Sequence, residues 1–481
     1  MASLNYDESA HLLRRAGFGG TPDEIDALTT KGREGAVDYL LNYTAINNQT
    51  MDSLLQASFD FSDLTDNSKF NNGEIRRWWF TRMVATQRQF EEKMTLFWHN
   101  HFATASSKVQ DIYLYIQNLK LRQNALGRFD DILLTVAQDP AMLIWLDGVT
   151  NVLGKPNENF ARELQELFTM GINDVVTGEQ NYTEDDVKQI ARAFTGWNFQ
   201  RSAGSQYGFS FRLVANQHDN GAKTIYAGTP YQVSGNLSGE DVVSVVANRA
   251  ATARYLTWKL WNFFAYPLTA SSADRATVDK FSKVYLNNNH SIKELVRAIF
   301  ISDEFFSERA IFSLVKQPAE LVVGAVRMLG ATYQPGTTIG TARTSNALAN
   351  GSRNMGQDLF NPPDVAGWDF NLGWVNTASM LERFNYTNQL VTNRNTTNPG
   401  IFVTTDQLRK NVKGNAKKTV NAFLTALNLP TVKPLRNPLM AYLMTGDTGQ
   451  PIEFATDDAY VDKKIRGLVH QIMCLPEFQL N

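Results

Sequence analysis

The chain has 481 residues, 43% hydrophobic and 20% charged, enough apolar material for a sizeable core. Its 46 basic and 48 acidic residues leave a formal charge of −2, which excludes a global field that would draw it to nucleic acid or anionic lipid. The single cysteine, Cys474, excludes an intrachain disulfide framework and any multi-cysteine metal site.

The first twenty residues, MASLNYDESAHLLRRAGFGG, lack a basic start followed by an apolar run, so no signal peptide is visible in this chain. No apolar run approaches the ~20 residues that span a membrane, and no transmembrane segment is expected. Helix starts then recur. Thr21-Pro22-Asp23-Glu24 pairs a capping hydroxyl with a proline in the first turn and a glutamate three residues on. Thr183 with Asp186, Ser238 with Asp241 and Ser291 with Glu294 repeat the pattern. Pro318-Ala-Glu320 opens a helix that Gly330 can close. Phe90, Met94, Phe97 and Trp98 form an i, i+4, i+7, i+8 apolar stripe.

Phe209, Phe211 and Leu213 alternate with Ser210 and Arg212 at strand period, and His218-Asp219-Asn220-Gly221 reads as a turn that can return Lys223 to Ala227 as a partner strand. The fold expected is therefore mainly α: a large multi-helical single body over residues 1–481 with a small β-hairpin insertion near 209–227. An irregular excursion is expected at about 335–399, including a long Asn/Thr-rich loop from Asn385 to Gly400, followed by a less recognisable C-terminal helical part at 400–481. Asn411 to Lys418 reads as a solvated basic run.

The densest ionisable motif is NENFARELQELFTMGI, Asn157 to Ile172. Successive helical residues rotate about 100°, so Glu158, Arg162 and Glu166 share a stripe while Glu163 lies on another side. Two readings stand beside each other: an exposed charge ladder, or two carboxylates and a guanidinium projecting into a polar cleft that manages a proton or a metal. FWHNHFAT, Phe97 to Thr104, places His99 and His101 two apart. They converge on one ion only if the helix ends near Trp98 and the backbone becomes extended; otherwise they diverge by about 200°. His11 to Gly19 carries Arg14 and Arg15 into a glycine turn, a fork suited to carboxylate, phosphate or sulfate. Asp185 and Arg192 lie on the next capped helix, and His218-Asp219-Asn220-Gly221 with Lys223 reads as an acid/base cluster or, more simply, as a tight turn. Phe360-Asn-Pro-Pro-Asp364-Val-Ala-Gly-Trp368, followed by Trp374, suits either a pocket wall or a loop buried against helices. No nucleophile elbow, Walker loop or dinucleotide glycine fingerprint occurs.

Taken together, the His11–Phe18 opening, FWHNHFAT, DPAMLIWLDG, NENFARELQELFTMGI, YTEDDVKQIARAFTGW, HDNGAK, VKQPAEL and NPPDVAGW resemble, in order, the bacterial domain-of-unknown-function family 1800. The long central motif is specific, while the stretch Asn385–Gln450 carries no recognisable family feature. The resemblance implies a largely helical protein, often exported, which favours the periplasm or exterior. It also implies a gene neighbour that looks like sulfatases and alkaline phosphatases, a candidate protein partner. It brings no established catalytic residue.

Three function classes follow. The first is a metal-assisted hydrolase of a cell-envelope polymer or modified peptide. There His99, His101 and Glu163 would bind a divalent metal, Glu163, Glu166 and His101 would supply ligands or a general base, and Arg14 and Arg162 would hold an anionic group. Asn157, Glu158, Asp185, Arg192, His218, Lys223 and Trp368 complete the expected polar centre. The second is a non-catalytic envelope protein that binds a glycan or the sulfatase/phosphatase-like partner. The third is a helical scaffold held by a buried polar network. No nucleic-acid partner is expected.

Overall fold

A computed structural model describes residues 3–202, 204–333, 343–393 and 401–481. The predicted caps form. Thr21 Oγ1 accepts from the Glu24 amide while Glu24 returns the bond to the Thr21 amide, opening Pro22–Thr29. The same reciprocal box opens Glu184–Ala193 from Thr183 and Gly239–Ala247 from Ser238. Pro318–Leu329 closes on Gly330, whose positive φ of 59° suits a glycine.

Two helices run through the interior. In Gln89–His101 every residue except Asn100 is buried, and Pro318–Leu329 is buried at all but Arg327. Burial on all sides explains why the apolar stripe of the first is only part of its content: Phe90, Met94, Phe97 and Trp98 face one apolar cluster, while Leu96 joins a second. Trp145 and Phe199 pack against both clusters. Lys93 and Glu320 join the two central helices as a buried ion pair.

The protein is mainly α with short antiparallel strand pairs. The strand pairing differs from the expected one. β1 (Trp197–Arg201) pairs with β2 (Phe209–Leu213), matching Phe199 to Phe211 and Trp197 to Leu213. β3 (Lys223–Ile225) pairs with β4 (Val233–Gly235). The His218–Gly221 turn thus connects two hairpins instead of closing one. Ring contacts favour this solution, with Trp197 against Phe211 at 4.8 Å and Phe199 against Phe209 at 6.2 Å.

The excursion is less irregular than expected. It contains helices Arg343–Asn354 and Thr377–Thr392, the second covering the first half of the expected Asn/Thr-rich loop. Leu390 and Val391 are buried there, so apolar burial outweighs the loop-like composition. Residues 334–342 and 394–400 lie outside the described residues. Among the described residues no helix is long and apolar enough to cross a membrane.

Candidate functional site

The Asn157–Ile172 motif begins as an α-helix, Asn159–Glu163, and then turns π from Leu164 to Thr169. A π turn widens the helix and shifts the phase of everything after it. Arg162, ahead of that turn, meets Glu158 at 3.5 Å, as the ladder predicts, but its stronger partner is Glu184, which it grips through both terminal nitrogens at 2.7 Å. These bonds to Glu184 raise the Arg162 pKa. Glu166 leaves the ladder and accepts from the Tyr182 hydroxyl at 3.0 Å. Glu163 is half-buried, and desolvation, with Glu166 nearby, raises its carboxyl pKa. Asn157 accepts from the Asn159 amide, and Asp185 is exposed.

The polar side chains around the π turn bind its backbone. His101 Nε2 donates to the Phe168 carbonyl at 3.0 Å, Tyr255 donates to that of Leu167 at 3.1 Å, and Asn181 Nδ2 donates to those of Met170 and Gly171. Carbonyls that a regular helix would engage are thereby satisfied in the core.

The expected histidine convergence does not occur, because the helix continues through His101 and the two rings leave opposite sides. His99 Nε2 accepts from the Phe360 amide at 3.0 Å, and burial pushes its pKa down to about 3. Phe360 holds a positive φ of 62°, which a bulky residue adopts at a cost, so His99 pins a strained corner. His101 is 2% exposed, and desolvation takes its pKa well below the ordinary value. His99, His101 and Glu163 therefore do not gather as ligands. Among the described residues no group of three or more His, Cys, Asp or Glu is placed to hold a metal ion.

The remaining expected residues also separate. Arg14 is buried, donates to the Asn428 carbonyl at 2.9 Å and lies over the Phe312 ring at 4.3 Å. Desolvation lowers its pKa to about 10. Arg192 grips Asp219 at 2.8 and 3.2 Å. Lys223 donates to the carbonyls of Asp219 and Gly221, and His218 Nδ1 to that of Thr195. This is a tied turn. Trp368 is buried with Trp374 and Val315, and Asn100 holds its backbone by donating to its carbonyl and accepting from its amide. Gly367 permits that approach: at its φ of 86°, a Cβ would run into Asn100.

A large cavity lies elsewhere. A cleft of about 1030 Å³ opens between helices Gln49–Ser58, Asn72–Ala85 and Asp111–Gln123 and the segment joining the first two. Phe59 and Phe61 stack with centroids 5.8 Å apart, Phe61 stacks on Phe70 at 4.7 Å, and Tyr115 meets both Phe61 and Trp78 edge-on at 4.8 Å. Gln56, Ser62, Ser68 and Asn71 add neutral hydrogen-bonding groups. Most of the charges on its walls are already paired, Lys69 with Asp60 at 2.8 Å, Arg77 with Glu74 at 2.7 Å and Arg82 with the buried Glu92 at 2.8 Å, which leaves Asp52 on the wall outside any ion pair among the described residues. Burial alone would raise the Glu92 pKa, but Arg122 and Arg82 outweigh it and hold it down to about 2. Trp79 also donates to Glu92, so the wall carrying Trp78 and Arg82 is fixed from beneath. Sequence reasoning missed this cleft. Its only local signal is Phe-Asp-Phe at 59–61 within a stretch of Asp, Ser and Asn turns.

A family model described as "Protein of unknown function (DUF1800)" matches residues 11–480. The chain belongs to this family. The match spans every motif described above, so the tied DUF1800 motifs and the aromatic cleft lie within one family region. No curated protein and no solved structure matches the chain.

Proposed function

We propose that this DUF1800 protein is a non-catalytic binding protein of the cell envelope that holds a neutral glycan chain in the Phe59–Trp78–Tyr115 cleft. The observation that carries this reading is an aromatic cleft of about 1030 Å³ whose acidic and basic lining residues balance, most of them held in ion pairs. Such a surface offers flat apolar faces and hydrogen-bonding groups without a net charge to select an ion. An envelope location rests on the family resemblance. The test is calorimetric titration with a panel of soluble neutral oligosaccharides. Binding by at least one is expected, and Phe59→Ala with Phe61→Ala is expected to weaken it about tenfold, the equivalent of ~1.4 kcal/mol, with the melting temperature tracked in parallel. Absence of binding across the panel, or binding indifferent to both substitutions, would sink the reading.

A second reading concerns the motifs themselves: they serve as a buried polar network that fixes helix packing. The bonds from His99, His101 and Arg14 to backbone groups favour it. The hydrolase expectation retains Glu163 and Glu166, whose carboxylates remain near the surface. We read the chain as one body, since Trp145 and Phe199 belong to the surroundings of both apolar clusters.

A further inference from the structure

A second, smaller cavity of about 50 Å³ lies where three segments meet. The Gln89–His101 helix contributes Phe97, Asn100 and His101, the Ala250–Phe264 helix contributes Trp258, Lys259, Asn262 and Phe263, and the loop after Trp368 contributes Phe370. Its walls are mostly aromatic. Two groups on its lining residues lack partners. Lys259 is partly buried, its amine makes no hydrogen bond or ion pair among the described residues, and it lies 5.5 Å over the Tyr255 ring. His101, committed through Nε2 to the Phe168 carbonyl, keeps an Nδ1 without a partner. A bond from Nε2 to a carbonyl requires the proton on Nε2, so Nδ1 carries a free lone pair.

A buried polar group without a partner is costly, and most proteins leave few. A lysine held among aromatic rings, with no carboxylate paired to it, is the setting in which an amine loses its proton and becomes nucleophilic. Desolvation pushes the Lys259 pKa down to about 8.

We infer that the Lys259 cavity is a covalent binding site for a short aldehyde or ketone, which it captures as an imine on the Lys259 amine. The neutral amine adds to the carbonyl carbon, forming an N–C bond as the C=O π pair moves to oxygen. One amine proton passes to that oxygen. The carbinolamine then loses its hydroxyl and the remaining N–H proton as water, leaving C=N. One carbonyl is consumed and one water released, with no oxidant or reductant. The cavity volume limits the ligand to a few heavy atoms. This site is independent of the glycan cleft, which lies on other helices.

The probe is glycolaldehyde with sodium cyanoborohydride at pH 8, on the intact chain, with adducts mapped by peptide mass spectrometry. At that pH an amine of pKa ~8 has roughly a hundredfold more neutral form than an ordinary lysine, offset in part by its lower intrinsic nucleophilicity, for a net gain of about tenfold. Lys259 is therefore expected to reach about tenfold higher occupancy than the median of the other lysines at low probe. Unfolding in urea is expected to erase that preference. Lys259→Arg is expected to remove the dominant adduct while the melting curve stays that of a folded protein. A bulky aldehyde, pyridoxal, is expected to label Lys259 no more than the other lysines. Labelling of Lys259 at or below the median overturns the proposal, as does equal preference for glycolaldehyde and pyridoxal. A loss of glycan binding by the Phe59 and Phe61 variants leaves this readout unmoved, so the two tests fail separately.

Discussion

Two arginine-bearing regions look alike in sequence and carry opposite energetic weight. Around Arg14 and Arg15, the cations Lys93, Lys316 and Arg383 and the carboxylate of Glu320 are all buried. Lys93 pairs with Glu320, Lys316 donates to the carbonyls of Phe478 and Leu480, and Arg383 donates to that of Lys316 at 2.8 Å. Desolvation lowers the pKa of Arg15 to about 9 and that of Arg383 to about 10. Around Arg162, by contrast, Glu158 and Glu184 form a bidentate ladder at the surface, where water screens the charges. Charge density in a motif therefore says little about stakes; what matters is whether the partners are desolvated.

That contrast is breakable by mutation. Glu320→Gln removes the counter-charge of Lys93 and one acceptor of the Asn481 side chain, and it is expected to cost about 3–5 kcal/mol in urea unfolding. A loss below about 1 kcal/mol would show the buried knot to be slack.

Acidity probes the same contrast through His99. Its folded pKa of about 3 lies below the unfolded value of 6.5, so below pH 6.5 the unfolded chain binds a proton that the native state refuses. Stability is expected to fall as pH drops from about 6.5 towards 3, by up to ~1.4 kcal/mol per pH unit from this residue. Chemical melts of wild type and His99→Gln across that range check it: glutamine can still accept from the Phe360 amide but does not titrate, so its slope should be flatter. Parallel slopes would remove His99 as the source.

Arg162→Ala is the smallest effect. A change of no more than ~0.5 kcal/mol in melting stability is expected, because the ladder is exposed. A cost several times larger would place the ladder on the same footing as the buried knot.

The features legible in the sequence were the local ones. Capping boxes at Thr21, Thr183 and Ser238 depend on residues three apart, and the structure forms them. The Glu158–Arg162 pair is likewise an i, i+4 contact. Whether a histidine is core or ligand depends on segments far along the chain, here Phe168 for His101 and Phe360 for His99. The partner of β2 was ambiguous because both flanking segments alternate suitably, and ring packing with Trp197 decided it. The aromatic cleft and the Lys259 cavity each draw on separated segments, so no single window announces them. The π turn has no composition of its own.

That turn sets where the protein tolerates a change in length. Deleting one residue between Leu164 and Thr169 would let the helix close in regular register, a local gain. It would also rotate everything downstream by about 100°, carrying the carbonyls of Leu167, Phe168 and Met170 away from Tyr255, His101 and Asn181. A single-residue deletion there should therefore do more damage than one in an exposed loop whose groups meet no interior partner at a fixed angle.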